Sequence, residues 1–175
     1  TDVHDTVLYQ TAFLYREAGQ RVKEAEKLKE LTKIYGRWDS QLWDDAMWRL
    51  IQIEGESGNT DREISLIKRF LDEEESSWLL GSYDSRYFDD AKLRLGYLRL
   101  ESGESKCAYK TFRKLAKDSE SRLRDDALLG AAKAKLALGD KKKACKVLNK
   151  LISIKDADAK RDAEKLASEI GCEQL

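Results

Sequence analysis

The chain has 175 residues, 41 % of them apolar and 38 % charged, and its 33 Lys and Arg balance 33 Asp and Glu. With no net charge it has no bulk attraction for a polyanion, which argues against nucleic-acid binding as its main role. No apolar run approaches the roughly 18 residues of a membrane span, and no signal-peptide pattern is read from Thr1, which is not an initiator residue.

Proline is absent and glycine occurs only ten times, so the strongest helix breaker is missing and tight turns are few. Long segments are rich in Ala, Leu, Lys, Glu and Arg, all good helix formers. No stretch sustains the alternation typical of strands. The expectation is an all-α chain.

Taken in chain order, the helices recur in one register. A first, degenerate copy places Thr1, Val7 and Gly19 in a frame that the next copies make explicit. It is followed by a helix from Val22 to about Tyr35. The second copy runs Asp39, Ser40, Asp44-Asp45-Ala46 and Gly58, then a helix from Arg62 to about Glu75. The third runs Asp84, Ser85, Asp89-Asp90-Ala91 and Gly103, then a helix from Lys106 to Lys117. The fourth runs Glu120, Ser121, Asp125-Asp126-Ala127 and Gly139, then a helix from Lys141 to Ile154. Ala144, Val147, Leu148, Leu151 and Ile152 form a helical stripe along that last helix. A final helix is expected near 158–170. The alanines Ala46, Ala91 and Ala127 stand 45 and 36 residues apart, a period that signals a solenoid of helical pairs.

Each recurring residue has a physical reading. The serine is expected to cap the first helix by accepting from a free N–H of its first turn. The two aspartates then complement the positive end of the helix dipole. The alanine lets a neighbouring helix approach, and the glycine ends the helix in a left-handed conformation.

These residues resemble the tetratricopeptide repeat. Gly96, Gly103, Ala108, Phe112 and Leu115 fall where that family places small, turn, small, large and apolar residues, and Ala132, Gly139, Ala144, Leu148 and Leu151 do the same. The first two copies depart from it: Ala25 lies one place late, Ile64 stands where a small residue is usual, and the family's closing proline is missing throughout. The resemblance implies a right-handed α-solenoid of about four helical hairpins, with repeats at 1–38, 39–83, 84–119 and 120–156, a capping helix over 157–172, and one domain over 1–175. The serine and Asp-Asp-Ala phrase also resembles repeats of bacterial cell-envelope proteins, such as the Tol–Pal-associated coordinator and the lipoprotein of the outer-membrane barrel-assembly machine. That likeness implies a periplasmic or envelope-facing scaffold, with a cytoplasmic one as the alternative.

In such a fold the first helices line the concave face, which here would present Tyr9 and Phe13, Trp48 and Gln52, Leu93 and Tyr97, and Leu129 and Lys133. This lining is aromatic and apolar, suited to a peptide or amphipathic helix of a protein partner. The same residues could instead close against neighbouring helices as core. The family's carboxylate-reading version carries Lys, Asn and Arg at these places, so that specificity is not expected. A second candidate surface is the insertion between Glu73 and Asp84, with Trp78, Leu79, Leu80 and Tyr83, which could equally tuck under its own loop. Trp38, Trp43 and Trp48 read as a packing cluster.

Chemistry-bearing residues are sparse. His4 is the single histidine and reads as exposed near a terminus. No phosphate-cradling loop or Cys-x-x-Cys pair occurs, so no catalytic, metal or cofactor residue is assigned and no enzyme is expected. Three cysteines cannot all pair within one chain. Cys107 and Cys145 lie early in second helices and read as buried small residues. Cys172 ends the antiparallel final helix and can stand level with Cys145, so a disulfide between them is open in an oxidising compartment, given Cα atoms within about 7 Å. The readings in order are a protein-binding scaffold, a self-associating structural module, and a non-catalytic helper part of a larger protein.

Overall fold

The computed structural model describes residues 3–77, 81–83, 85–118, 121–154 and 157–173, with backbone alone at 75–77 and 81–83. The helices are α1 (Val3–Glu17), α2 (Arg21–Ile34), α3 (Trp43–Glu56), α4 (Thr60–Leu71), α5 (Phe88–Glu101), α6 (Ser105–Leu115), α7 (Arg124–Ala137), α8 (Lys141–Ile152) and α9 (Lys160–Glu169). They form the expected hairpins α1–α2, α3–α4, α5–α6 and α7–α8, with α9 at the expected final position. The chain divides into two compact units, residues 1–88 and 89–175.

The turn glycines behave as their spacing demands. Gly19, Gly58, Gly103 and Gly139 have φ between +68° and +81°, each two residues beyond the end of a first helix. Only glycine takes that conformation without strain. Gly171, at φ +62°, closes α9 in the same way. Counting back twelve residues from it gives Ala159, and eight gives Ala163; these are 6 % and 0 % exposed. Thus α9 keeps the register of a first helix while filling the capping position.

The serines do something other than expected. Ser40, Ser85 and Ser121 do not cap helix N-termini. Each sits in a turn one step earlier, where its Oγ accepts from the N–H two residues on: Leu42 at 3.1 Å, Tyr87 at 3.3 Å and Leu123 at 3.2 Å. Its carbonyl accepts from the third residue on, Trp43, Phe88 and Arg124. A short Ser side chain favours this local turn, which delays the helix by a turn's length. Ser40 Oγ also donates to Asp5 Oδ2 at 2.7 Å, tying the first hairpin to the second.

The insertion between α4 and α5 is not strand-free. Residues Glu75–Ser77 (β1) and Gly81–Tyr83 (β2) pair antiparallel, Glu75 opposite Tyr83. Trp78, Leu79 and Leu80 of the second candidate surface lie outside the described residues, and Tyr83 lies on β2. Among the described residues Trp43 and Trp48 have different ring partners. Trp43 is buried with its ring 5.8 Å from Phe70, Trp48 stacks on Tyr87, and Trp38 is 67 % exposed with Arg37 over its ring.

Each unit has its own core. In the first, Leu8 and Ala12 of α1, Ala25, Leu28 and Leu31 of α2, and Ala46, Leu50 and Ile53 of α3 form one cluster. In the second, Ala108 and Phe112 of α6 pack with Ala131 and Ala134 of α7, and Leu93 and Tyr97 of α5 close over them. A further cluster joins Leu128, Leu129 and Ala132 of α7 to Leu148 and Leu151 of α8 and to Ala159, Ala163 and Ala167. Phe112 is fully buried because two facing helices lack a side chain where its ring lies. A Cβ on Gly96 would stand 2.4 Å from Phe112 Cε1, and one on Gly130 would stand 2.6 Å from it.

Cys145 and Cys172 form a disulfide with a Cα separation of 5.4 Å. Cys107 is exposed, contrary to the expectation of burial. It precedes Ala108, the buried position of α6, by one residue, and one residue turns a helix about 100° away from that face.

Two outcomes follow for stability. Substituting Cys145→Ser opens a closure spanning 27 residues and should lower the unfolding free energy by about 3.5 kcal/mol on the loop-entropy scale. Urea denaturation should show the same loss in the native chain under reductant and no further loss when the variant is reduced. Gly130→Ala should cost about 1–3 kcal/mol by overpacking. Adding Phe112→Leu, the residue type at the matching positions 28 and 148, should recover part of it, so a double variant no more stable than Gly130→Ala would contradict the clash.

Candidate partner-binding surface

The eight residues expected to line the face come from two equivalent positions of each first helix, ten and six residues before the turn glycine. The structure sorts them by burial. In the first unit Tyr9 is half-buried against the core cluster, Trp48 is half-buried, Gln52 is exposed and Phe13 is 53 % exposed. In the second, Leu93 and Tyr97 are half-buried over the Phe112 cluster, Leu129 is only 3 % exposed within the core, and Lys133 is exposed. Leu129 is therefore a packing residue, because α7 is apolar through Ala127–Ala132 and buries that whole turn.

The first unit carries an aromatic and ionic cluster. Trp48 and Tyr87 stack with centroids 5.5 Å apart and planes 14° from parallel. Tyr87 Oη donates to Asp45 Oδ1 at 2.6 Å, and Arg86 Nη2 donates to the same oxygen at 2.6 Å. Burial, and then the Asp45 carboxylate that accepts its proton, push the Tyr87 hydroxyl up. Tyr9 is also pushed up, first by burial and then by the charge of Asp45. A crevice of about 20 Å³ opens between Tyr9, Phe13, Arg16, Leu28 and Arg49. That is room for about one water.

Beneath this surface lies a network that was not foreseen from the sequence. Glu24 is 2 % exposed, and Arg49 grips it twice, Nε to Oε1 at 2.6 Å and Nη2 to Oε2 at 3.2 Å. Arg49 Nη1 also reaches Glu56 Oε1 at 3.0 Å, and Arg21 reaches Glu56 Oε2 at 2.9 Å. The hydrogen bond to Glu24 raises the Arg49 pKa. The signal was present: Glu24 stands five residues after its glycine, where Ala108 and Ala144 stand in later repeats. A carboxylate in a small-residue position needs a cation, and Arg49 occupies the place that Gly130 takes beside Phe112. Glu63 and Arg94 hold the same two register places one repeat later.

The Asp-Asp pair also does more than complement a dipole. The second aspartate accepts from the arginine that follows the next repeat's serine. Asp45 pairs with Arg86, and Asp90 pairs with Arg122. At the matching place after Ser153 stands Ile154. The arginine that would pair with Asp126 is therefore missing. Burial, then the charges of Asp158, Asp125 and Asp162, hold its carboxyl above the usual carboxylate range. Nearby, Tyr97 meets Phe112 edge-on at 5.0 Å, and Lys133 Nζ lies 5.7 Å from the Tyr97 centroid. Burial pushes the Tyr97 hydroxyl up, with Asp126 and Asp162 adding to it.

Among the described residues no group of three His, Cys, Asp or Glu is placed to hold a metal. His4 Nδ1 lies 3.0 Å from Tyr35 Oη. No described helix is long and apolar enough to cross a membrane.

With this geometry the chain can be set beside known proteins. Residues 126–154 match the family model for the tetratricopeptide repeat. The fold is tetratricopeptide-like. TPR-like repeats of a Podosopora anserina protein of kinesin-light-chain type superpose with a TM-score of 0.63 at 13 % identity, covering 98 % of this chain and 95 % of that one. A mutant of MamA gives 0.62 at 13 %, covering 97 % and 85 %. MamA of MSR-1 gives 0.59 at 14 %, covering 98 % and 89 %. No curated protein matches the sequence.

The raised Asp126 pKa has a sign that can be tested. The folded chain keeps this proton to a higher pH than the unfolded chain does, so the group costs stability above its folded pKa. The cost vanishes as pH falls below the ordinary carboxylate range. Asp126→Asn should therefore raise the melting temperature at pH 7, and the gain should shrink to nothing by about pH 3, below the unfolded value near 3.9. A gain that is independent of pH would point to packing instead.

Proposed function

We propose that the chain is a scaffold that captures an apolar peptide or helix of a protein partner on the first-helix face of its first unit. The observation that carries this reading is Phe13. It is a large aromatic side chain left 53 % exposed beside half-buried Tyr9, at a position where first helices face inward. Aromatic anchors of this kind dominate binding energy where they are desolvated by a partner. The crevice beside Phe13 is lined by Tyr9, Ala12, Leu28 and Arg16, with Arg49 already held by Glu24 and Glu56, so the segment received would be mainly apolar. Trp48, held by its stack on Tyr87, extends the aromatic character of the same unit.

The compartment we infer is oxidising and of the bacterial envelope type. The Cys145–Cys172 bond supports it, since disulfides persist in secreted and periplasmic settings and are rare in a reducing cytosol. The likeness of the serine and Asp-Asp-Ala phrase to envelope repeats points the same way.

Phe13→Asp tests the capture. It should weaken binding tenfold or more, about 1.4 kcal/mol, while circular dichroism and melting temperature stay unchanged. Pull-down from an envelope extract, with binding then measured on the purified partner, reads both quantities. Unaltered affinity in this variant would refute the assigned face. Trp48→Ala is the weaker probe, because losing the Tyr87 stack should lower stability as well.

A further inference from the structure

The zero net charge of the chain hides a division. Residues 1–88 carry 12 Lys and Arg against 18 Asp and Glu, and residues 89–175 carry 21 against 15, so the two units stand at −6 and +6. The positive charge of the second unit gathers on its second helices. α6 holds Lys106, Lys110, Arg113 and Lys114, α8 holds Lys141, Lys142, Lys143, Lys146 and Lys150, and neither helix contains an acidic residue. In α2 and α4 the two signs are mixed.

The register arranges these charges. Three, seven and eleven residues after the turn glycine stand Lys106, Lys110 and Lys114 in α6, and Lys142, Lys146 and Lys150 in α8. All six are exposed. On each helix they lie opposite the buried line, which is Ala108, Phe112 and Leu115 in α6 and Ala144, Leu148 and Leu151 in α8. Phe112 and Leu148 of those lines pack on α7, and Val147 of α8 reaches the Phe112 cluster. The two helices therefore lie side by side, with both rows directed away from α7. Each row is open for a reason internal to its own repeat: it faces away from that helix's packing line. Successive lysines of a row are about 6 Å apart along the axis, and the axes of packed helices are about 8–10 Å apart. In α2 the same places hold Val22, Glu26 and Glu30, and in α4 Asp61, Ser65 and Arg69, so the fold itself does not require the array.

The array works against the helices that carry it. Like charges four residues apart repel, and each row contains two such pairs. Lys141, Lys142 and Lys143 also crowd the first turn of α8, the positive end of its dipole. Asp140 answers Lys143 there, off the rows. Glu104 and Asp118 flank α6 rather than stand on its row. A constellation that opposes helix stability and recurs in register points to an anion supplied from outside.

The make-up of the face says which anion fits. Protein interfaces are depleted in Lys and anchored by aromatic groups, and neither row offers an anchor. Single-stranded nucleic acid is held on aromatic platforms, and fork-like recognition of phosphates and bases relies on Arg, whereas all six residues are Lys. Tyr109, the aromatic residue of α6 nearest the rows, is half-buried, with Lys135 Nζ 3.9 Å from its ring centroid. A linear polyanion would answer one row and leave the other. Flexible point charges spread in two dimensions match a surface whose anions can move beneath them, which is a bilayer containing acidic lipids. We infer that the α6–α8 face docks on an anionic lipid bilayer, its six lysines at the headgroup phosphates and no helix inserted. Phe13 stands in the other unit, so membrane docking and partner capture use separate surfaces.

The test is flotation of the whole chain with vesicles of phosphatidylcholine alone, or of phosphatidylcholine and phosphatidylglycerol in equal parts. The chain should bind the mixed vesicles and not the neutral ones. Binding should fall at least tenfold between about 0.05 M and 0.5 M salt, as the screening length shortens. Lys110→Glu combined with Lys146→Glu should weaken it at least tenfold, while the melting temperature holds or rises because like-charge pairs become opposite ones. Lys23→Glu combined with Lys33→Glu makes the same change of net charge on α2 and should leave binding intact. Lys110→Arg combined with Lys146→Arg should bind as the native chain does. Phe13→Asp should also bind vesicles normally, so this proposal and the assigned capture face can fail separately. Equal binding to both vesicle types would overturn the proposal. So would an equal loss in the α2 pair, or a complex of this face with duplex DNA or polyglutamate while the mixed vesicles stay unbound.

Discussion

The fold depends on one recurring insertion: at one register place of each second helix a large side chain must be buried to the last few per cent. Leu28, Ile67, Phe112 and Leu148 hold this place, and each is 2 % exposed or less. All four stand nine residues after the turn glycine. A hairpin on its own covers such a residue on one side only, so a further first helix has to follow. The small residues of the register exist to let that helix come close. The left-handed glycine fixes where the second helix begins, and hence which residue is inserted.

The constraint can be met in different chemistries, and the two units differ here. At the α6–α7 joint the solution is steric: Gly96 and Gly130 give up their side chains to an aromatic ring. At the α2–α3 joint a smaller Leu28 is inserted, and the room beside it holds a buried carboxylate with its arginine. The ionic version gains little net stability, since both charges must leave water. What it adds is discrimination. A helix offered in the wrong register would strand Glu24, whereas an apolar joint tolerates sliding.

This difference also explains what could be read from the sequence. The helices and their turns were legible because glycine spacing and small-residue spacing act locally and repeat; the Cys145–Cys172 bond, left open by an odd number of cysteines, is formed. The serine function was misread because N-cap and pre-helix turn use the same side chain with the same type of bond, and differ only by where the helix starts. Burial of Cys107 was misread because one place on a helix is about 100°. The role of Glu24 and Arg49 was missed because the partners are 25 residues apart and a charged residue on a charge-rich helix does not announce its burial. The burial of Leu129 was also beyond a pattern argument. Leu129 and Leu93 share a register position with Tyr9 and Trp48, yet the Ala-rich α7 lets its neighbours close in and take Leu129 into the core.

The helices α9 and α1 meet the insertion rule in different ways. At α9 the burial is thin: alanines at 159, 163 and 167 with half-buried Leu166 and Ile170. Alanine contributes little apolar area, so the hydrophobic hold on a ten-residue helix is small. The disulfide to α8 supplies by covalent closure what that packing does not. At α1 no such staple is present among the described residues, and the face that would receive a preceding helix is made larger and more apolar, with Val7 and Leu14 where α7 has alanines. Residues 6–15 carry no charge, so this face offers apolar contact where α3 offers ion pairs to α2.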